Sequence, residues 1–259
     1  MAEIDAVRRS LLAGLAGLPL AAILADPALA QAAAETTRDQ TIRTPAGREV
    51  TAAVARPEAA AGRLPVVLLV HEWWGLNDQI KAVAADLARQ GFLAVAVDLF
   101  QGRVVTTPDE AKALVEKVKP DEAADTLSAW AGWARNHPDG NRRLGVVGWC
   151  FGGGWALNAA TIAPMEAAVV YYGRVNLPPE QLAHLKGPVV GHFGRRDQYI
   201  TADVVAGFER AMKQVGKPYT VYWYDAGHAF ANPTGGNFSQ PDAQLAWQRT
   251  LAFFKKELV

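Results

Sequence analysis

The one cysteine of the 259-residue chain, Cys150, lies in the run Gly148-Trp149-Cys150-Phe151-Gly152. A nucleophile with a glycine two positions away on each side is typical of a sharp turn between a strand and a helix, where larger neighbours would clash. The amide dipoles at the start of the following helix would favour the thiolate. A single cysteine cannot form an internal disulfide, so Cys150 is a buried packing residue, an intermolecular link or a reactive thiol. The glycine pattern favours a reactive thiol.

A carboxylate and a histidine follow Cys150 in the chain order of a catalytic triad. Asp197 and His228 each come shortly after an apolar run. We predict that His228 accepts the thiol proton as a general base and that Asp197 fixes the tautomer of His228. Asp225 is the rival acid, but it lies too close to His228 in sequence to reach its ring from a separate loop. The other histidines are treated as ordinary residues: His71, His137, His184 and His192.

Short apolar runs alternate with amphipathic segments along most of the chain. Continuous apolar runs suit strands that are buried on both faces, and their alternation with helices predicts a mainly parallel sheet covered by helices on both faces. The predicted strands are 50–54, as an antiparallel addition, 65–70, 93–97, 144–147, 167–172, 189–193 and 219–224. The predicted helices are 79–90, 108–117, 122–135, 155–162, 202–215 and 243–258.

Polar residues stand directly after several of the predicted strands. They are Glu72, Asp98, Cys150, Asp197 and His228. Open parallel sheets bind their ligands at the carboxyl ends of the strands. We therefore expect these side chains to meet at one edge of the sheet.

Composition and charge limit the classes of function. Lysine and arginine number 26, and aspartate and glutamate number 26, so the chain lacks the basic excess of a nucleic-acid-binding protein. The length suits one domain with one sizeable core. His71-Glu72 lacks the second histidine of a helical zinc motif, and no cysteine pair exists, so we predict no metal and no cofactor.

The first 30 residues have the pattern of an export signal. Arg8 and Arg9 precede an uncharged stretch from Leu11 to Leu24, and Ala28-Leu29-Ala30 offers a small-residue cleavage site. We predict a signal peptide of the twin-arginine type over residues 1–30, a catalytic domain over 31–259, and export to the periplasm. The apolar stretch is too short to span a bilayer comfortably, so we expect no stable membrane insertion after its removal. The alternative is an N-terminal helix that stays attached.

Several segments together resemble the dienelactone hydrolase family. They are the runs 71–75, 95–100, 148–153, 171–173 and 226–230, and the resemblance extends from about residue 64 to the C-terminus. It implies the α/β-hydrolase fold and a triad formed by Cys150, His228 and Asp197.

The resemblance also implies roles for residues beside the triad. Glu72 would interact with the thiol and take part in its activation when substrate binds. The backbone N–H groups of Phe151 and Trp73 would form the oxyanion hole. A carboxylate beside a thiol raises the pKa of the thiol or accepts its proton, depending on geometry.

The sequence departs from the family where the substrate carboxylate is bound. Members that cleave dienelactones use two arginines, but Asn232 stands where one is expected, and the helix near Pro108 contains no arginine. Arg103 and Lys112 are the closest cations, although lysine does not replace a bidentate arginine. The residues proposed to line an apolar pocket are Trp73, Trp74, Trp149, Tyr199 and Phe230, with simple packing as the alternative for each.

Three functional interpretations remain open. The first is hydrolysis of a small-molecule ester or lactone through a thioester acyl-enzyme. The second is a general carboxylesterase or thioesterase, and the third is an inactive relative that binds a ligand or senses redox state through Cys150. We expect a monomer or a small homo-oligomer.

Overall fold

Apolar runs of five to seven residues form the centre of the sheet. Every residue of Leu64–Val70 and of Leu93–Val97 is buried, since helices cover both faces of these strands. The structure is a computed structural model that describes residues 17–57 and 62–259. Its strands are β1 (Arg38–Arg43), β2 (Glu49–Ala55), β3 (Leu64–Val70), β4 (Leu93–Val97), β5 (Gly140–Trp149), β6 (Ala167–Tyr171), β7 (Val189–Gly194) and β8 (Tyr219–Tyr224).

Helices connect the strands and begin at residues suited to that position. Asn77 caps one helix by accepting a hydrogen bond from the Ile80 amide at 3.2 Å. The helices of the described residues are α1 (Leu20–Ala25), α2 (Pro27–Ala34), α3 (Asp78–Arg89), α4 (Pro108–Lys117), α5 (Pro120–Asn136), α6 (Phe151–Ile162), α7 (Pro179–Leu182), α8 (Ala202–Gln214) and α9 (Gln240–Leu258).

The strands of the described residues form one eight-stranded sheet in the order β1-β2-β4-β3-β5-β6-β7-β8. The pairs from β4 to β8 are parallel, whereas β1 pairs antiparallel with β2, and β2 antiparallel with β4. The carboxyl ends of the central strands therefore lie at one edge of the sheet.

The sheet separates two apolar cores. Along β3, Val66 and Leu68 belong to the core that also contains Trp130 of α5, whereas Val67 belongs to the core that contains Trp247 of α9. This division follows from the alternation of side chains along a strand. Burial on both faces explains why β3 lacks the polar alternation of a half-exposed strand.

The predicted architecture is confirmed, including the antiparallel addition at residues 50–54, which lies within β2. Beyond the segment predicted as a signal, two elements of the described chain were not predicted. The strand β1 is the edge of the sheet, and five of its six residues are exposed, so no apolar pattern marks it. The helix α7 has only four residues, which is too short for a helical period to register.

The end of the predicted signal segment is helical and packs on the domain. Ile23 of α1 and Ala30 of α2 are buried against Ala82 and Ala85 of α3. The helix α2 crosses the predicted boundary between residues 30 and 31, while Arg8 and Arg9 lie outside the described residues. Removal of residues 1–30 remains a prediction. Within residues 17–57 and 62–259, no helix combines the length and apolar character needed to cross a membrane.

Candidate active site

The turn between β5 and α6 holds Cys150 in a backbone conformation that few non-glycine residues adopt, with φ at 52° and ψ at −116°. Close packing makes glycine necessary on both sides. A Cβ on Gly148 would lie 2.0 Å from the carbonyl oxygen of Gly152, and a Cβ on Gly152 would lie 2.2 Å from the carbonyl oxygen of Val70. Strain of this kind persists because the surrounding packing fixes the backbone, and it is typical of functional turns.

His228 connects the thiol of Cys150 to the carboxylate of Asp197. Its Nε2 lies 3.2 Å from Sγ of Cys150, and its Nδ1 lies 2.7 Å from Oδ2 of Asp197. Because an ionised carboxylate only accepts hydrogen bonds, Nδ1 carries the proton and Nε2 can accept one from the thiol. The structure thus brings together the three residues that the sequence predicts as a triad.

Asp197 is held as an ionised carboxylate at the end of β7. Its Oδ1 accepts hydrogen bonds from the backbone amides of Tyr199 at 2.7 Å and Ile200 at 3.0 Å. Burial raises the pKa of Asp197, but the hydrogen bonds from His228 and the two amides outweigh burial and lower the pKa below its ordinary value. The carboxylate can therefore stabilise a protonated His228.

The rival acid, Asp225, is engaged elsewhere. Its side chain is 82% exposed, and Oδ1 lies 3.3 Å from Nε of Arg196. In the described part of the chain, the carboxylate bonded to His228 is that of Asp197.

The thiol of Cys150 is protonated at rest. Burial and, to a smaller extent, the charge of Glu72 raise its pKa to about 12, although a hydrogen bond from the Phe151 amide and the charge of Arg174 act in the opposite direction. A nucleophilic role for Cys150 would require a base that removes the proton, and His228 is in contact with the sulfur.

Glu72 is a second buried carboxylate close to the thiol. It follows β3, and only 6% of it is exposed. Its Oε1 accepts a hydrogen bond from the Tyr172 hydroxyl at 3.2 Å, and its Oε2 accepts one from Nδ2 of Asn232. Burial raises the pKa of Glu72, and the two hydrogen bonds only partly oppose that increase.

Asn232 supplies a neutral donor where the family resemblance leads us to expect an arginine. Its Oδ1 accepts hydrogen bonds from the amide of Thr234 at 2.9 Å and from the hydroxyl of Thr234 at 2.8 Å. These contacts assign Oδ1 as the acceptor and leave Nδ2 to donate to Glu72. Glu72 therefore accepts no charged donor at this position.

The two predicted oxyanion-hole residues flank the thiol in different loops. Phe151 is the first residue of α6, so its N–H is free of the helical ladder, and it donates to Sγ of Cys150. Trp73 follows Glu72 in the turn between β3 and α3. The two turns are pressed together, because a Cβ on Gly152 would lie 2.3 Å from the carbonyl oxygen of His71.

The predicted substrate-binding residues lie in different surroundings. Tyr199 is 78% exposed with its ring 5.2 Å from that of His228, and the rings of Trp73 and Trp74 are 5.0 Å apart. Trp149 is buried and stacks on Tyr171, and Phe230 is fully buried between Tyr172 and Tyr224. Phe230 is therefore a packing residue in this structure and does not line an open pocket. Arg103 lines a different cleft from the one that contains Tyr199 and His228.

Sequence reasoning missed two residues that the structure brings to the site. Tyr172 and Arg174 both follow β6. The backbone of Arg174 packs against the first turn of α6, where a Cβ on Gly154 would lie 3.5 Å from Cβ of Arg174. The rule of polar residues at strand ends, applied to β6, would have found both. In the described residues, no group of three or more His, Cys, Asp or Glu side chains could hold a metal ion.

A strained turn after β5 holds Cys150 at the edge of a mostly parallel eight-stranded sheet, and Asp197 and His228 follow β7 and β8. This arrangement is that of an α/β-hydrolase. The order of nucleophile, acid and histidine along the chain agrees with this class.

Known proteins make the assignment more specific. The model of the dienelactone hydrolase family matches residues 50–258. A protein of Yersinia pestis assigned as a carboxymethylenebutenolidase is 31% identical over 224 residues, covering 80% of this chain and 84% of its own length. The carboxymethylenebutenolidase of a Pseudomonas species is 30% identical over 207 residues, covering 76% of this chain and 87% of its own length. A solved structure from Klebsiella pneumoniae, assigned as a dienelactone hydrolase, has a TM-score of 0.76 at 29% identity and covers 85% of this chain and 99% of its own.

The chain belongs to the dienelactone hydrolase family, and the predicted resemblance is confirmed. Membership makes the protein a hydrolase of the dienelactone hydrolase type.

Proposed function

We propose that this protein hydrolyses ester or lactone bonds of small molecules, with Cys150 as the nucleophile and a thioester acyl-enzyme as the intermediate. The observation that carries the proposal is the continuous contact from Sγ of Cys150 through His228 to Asp197. The names of the similar carboxymethylenebutenolidases support a substrate with an ester or lactone bond.

Acylation begins with proton transfer from Sγ of Cys150 to Nε2 of His228. The sulfur attacks the carbonyl carbon, and the carbonyl oxygen becomes an oxyanion that accepts hydrogen bonds from the amides of Phe151 and Trp73. When the carbon–oxygen bond of the ester breaks, the leaving alkoxide takes the proton from His228. Asp197 stabilises the imidazolium while His228 carries this proton.

Deacylation repeats the sequence with water. His228 accepts a proton from water, whose oxygen attacks the thioester carbon. The carbon–sulfur bond breaks, the sulfur regains its proton from His228, and the carboxylic acid leaves. In a lactone the alcohol and acid remain one molecule, so the product is a hydroxy acid, or a keto acid when the released alcohol is an enol.

Glu72 keeps the thiol protonated before substrate arrives. Its charge raises the pKa of Cys150, in the same direction as burial. Thiolate character promotes oxidation, so a protonated thiol protects a cysteine that acts outside the reducing cytoplasm.

A general carboxylesterase or thioesterase is the second candidate. One observation favours it, since Asn232 is neutral where dienelactone-cleaving relatives are expected to carry an arginine. Without that arginine, a substrate carboxylate loses a bidentate partner. A panel of simple esters compared with lactones separates the two candidates.

The test is hydrolysis of p-nitrophenyl acetate and of a small lactone by the protein and by Cys150→Ala. We expect turnover in the protein and a loss of at least about a thousandfold in the variant. Turnover that survives in the variant would exclude Cys150 as the nucleophile. The ratio of the two substrates decides between the first and second candidates.

We also propose export by the twin-arginine route, on the pattern of residues 1–30. Fractionation of native cells and N-terminal sequencing test it. We expect the exported protein to begin near residue 31, and a protein that retains residues 1–30 in its native compartment would refute the cleavage.

A further inference from the structure

His71 lies between the two loops that carry the proposed oxyanion-hole donors. It directly precedes Glu72 and is fully buried. Its ring stacks near that of Phe151, with centroids 6.1 Å apart, and meets the edge of Phe100 at 4.7 Å. The imidazole therefore contacts the side chain of one donor residue and adjoins the turn that contains the other, Trp73.

Two hydrogen bonds fix the protonation of the ring. Nδ1 lies 2.6 Å from the carbonyl oxygen of Glu72, and Nε2 lies 3.0 Å from the amide nitrogen of Leu99. A carbonyl oxygen can only accept and an amide N–H can only donate, so Nδ1 carries a proton and Nε2 does not. Burial lowers the pKa of His71, and the contacts with Glu72 and Asp98 only partly oppose this, so the ring stays neutral.

The acceptor of the Nδ1 bond belongs to the peptide group that contains the Trp73 N–H. No peptide bond in the described chain is cis, so the N–H of Trp73 points opposite to the carbonyl of Glu72. His71 and the Gly75 amide, at 3.3 Å, both donate to that carbonyl at one edge of the peptide group. At the opposite edge, the Trp73 N–H has no hydrogen-bond acceptor among residues 17–57 and 62–259. An N–H without a protein acceptor is available to a substrate oxygen.

The far side of the ring is anchored in a rigid loop. The Leu99 amide that donates to Nε2 lies next to Asp98, whose Oδ1 accepts a hydrogen bond from Phe100 at 2.7 Å and whose Oδ2 accepts one from Gly102. His71 thus connects this loop to the Glu72–Trp73 peptide through hydrogen bonds at both ring nitrogens. A single neutral tautomer satisfies both ends at once.

We propose that His71 is a positioning residue for the oxyanion hole, which holds the Trp73 N–H in the direction of the substrate oxyanion through its hydrogen bond to the Glu72 carbonyl. The inference rests on the proposed function, because the oxyanion arises only when the thiol attacks a carbonyl group. His71 does not touch the reacting atoms and acts through the peptide that it holds.

The experiment compares His71→Leu, which cannot donate to the carbonyl, with His71→Asn, whose Nδ2 can. Two rates are measured: kcat for p-nitrophenyl acetate, and alkylation of Cys150 by iodoacetamide, which uses the thiol but develops no oxyanion. We expect His71→Leu to lower kcat about a hundredfold, the typical effect of losing one donor, with KM and the alkylation rate within about twofold. His71→Asn should recover about tenfold of that loss.

His192→Asn is the matched control, since His192 is an equally buried histidine that bonds Tyr224 and Thr250 instead. It should leave kcat within about threefold. If His71→Leu does not fold, His71→Met makes the same comparison, because methionine adapts to irregular cores.

Each remaining outcome is decisive. A kcat that His71→Leu leaves unchanged would overturn the inference, and so would equal losses of kcat and alkylation rate, which would mean general disruption of the site. An Asn variant no better than the Leu variant would also overturn it. Wild-type protein that alkylates at Cys150 but turns over no activated ester would overturn the proposed function itself, and this inference with it.

Discussion

Two buried carboxylates, Glu72 and Asp197, lie on either side of the Cys150–His228 pair, and each is 6% exposed. Asp197 accepts two backbone amides and the Nδ1–H of His228, and its pKa is lowered. Glu72 accepts a hydroxyl and a neutral amide, and its pKa is raised. Burial raises the pKa of both acids, but only Asp197 has hydrogen bonds and a neighbouring charge that together outweigh it.

The opposite pKa shifts suit the two acids to different roles. In the proposed mechanism, the carboxylate of Asp197 orients His228 and stabilises its protonated form. Glu72 has no bond to His228 in the described chain and acts on the thiol through its charge. Substitutions of each acid and of its partners should therefore have different effects on kcat, on stability and on the reactivity of the thiol.

The largest effect is expected for Asp197→Asn. An amide can donate to Nδ1 of His228, which would place the ring proton on Nε2 and leave no base for the thiol. We expect kcat for p-nitrophenyl acetate to fall about 10³- to 10⁴-fold, as removal of this orienting charge does in comparable triads.

Asp225→Asn is the matched control, because it changes the same chemical group on an exposed side chain. It should leave kcat within about twofold. If the two variants lost activity equally, Asp197 would not be the acid of the triad.

Asn232→Ala tests the neutral partner of Glu72. It leaves a buried carboxylate oxygen without its donor, so the free energy of unfolding should fall by about 1–3 kcal/mol in urea titrations. Thr234→Ala, which removes only the hydroxyl bonded to Oδ1 of Asn232, should cost less. Equal stability of Asn232→Ala and the unaltered protein would mean that the bond to Glu72 contributes nothing.

The pH dependence of stability should differ in sign for the two acids. Folding raises the pKa of Glu72, so the contribution of this acid to stability is full below its unfolded pKa and is lost as pH rises through the folded pKa. The lowered pKa of Asp197 gives a contribution that is present above its unfolded pKa and is lost as pH falls through the folded pKa.

Glu72→Gln and Asp197→Asn should each remove one of these slopes from a plot of unfolding free energy against pH. Stability of Glu72→Gln that keeps the loss on the alkaline side would contradict the raised pKa of Glu72. The measurement needs folded protein but no enzymatic activity, so inactive variants can be used.

A smaller effect is expected for Glu72→Gln on the reactivity of the thiol. Removing the charge that raises the pKa of Cys150 should shift the pH profile of iodoacetamide alkylation to lower pH. At neutral pH the alkylation rate should rise about three- to tenfold. An unchanged rate and profile would refute the protective role of Glu72.

The smallest effect is expected for Arg174→Ala. This exposed cation lowers the pKa of Cys150, and its backbone packs beside the first turn of α6. An exposed cation that acts on the thiol would also attract a carboxylate on the substrate. We therefore expect KM to rise about threefold for an ester with a free carboxylate and to stay unchanged for a neutral ester of similar size. Arg103→Ala is the control, because Arg103 lines the other cleft.

The sequence predicted the class of fold and the strand ends, because buried parallel strands are continuous apolar runs and polar residues after them stand out. It could not predict β1, whose exposed edge carries no such pattern. The bond between Asn232 and Glu72 joins loops 160 positions apart, and the bond between His71 and Leu99 depends on ring orientation. Strand periodicity contains no information about such contacts, so the tuning of the site had to be read from the structure.

The most direct test of the account is intact-mass analysis of the protein quenched during turnover of p-nitrophenyl acetate, followed by peptide mapping. The account predicts one acetyl group on the peptide that contains Cys150, released by hydroxylamine as a thioester is, and neither label nor turnover in Cys150→Ala. Turnover with the acetyl group on another residue, or turnover that persists in Cys150→Ala, would contradict it.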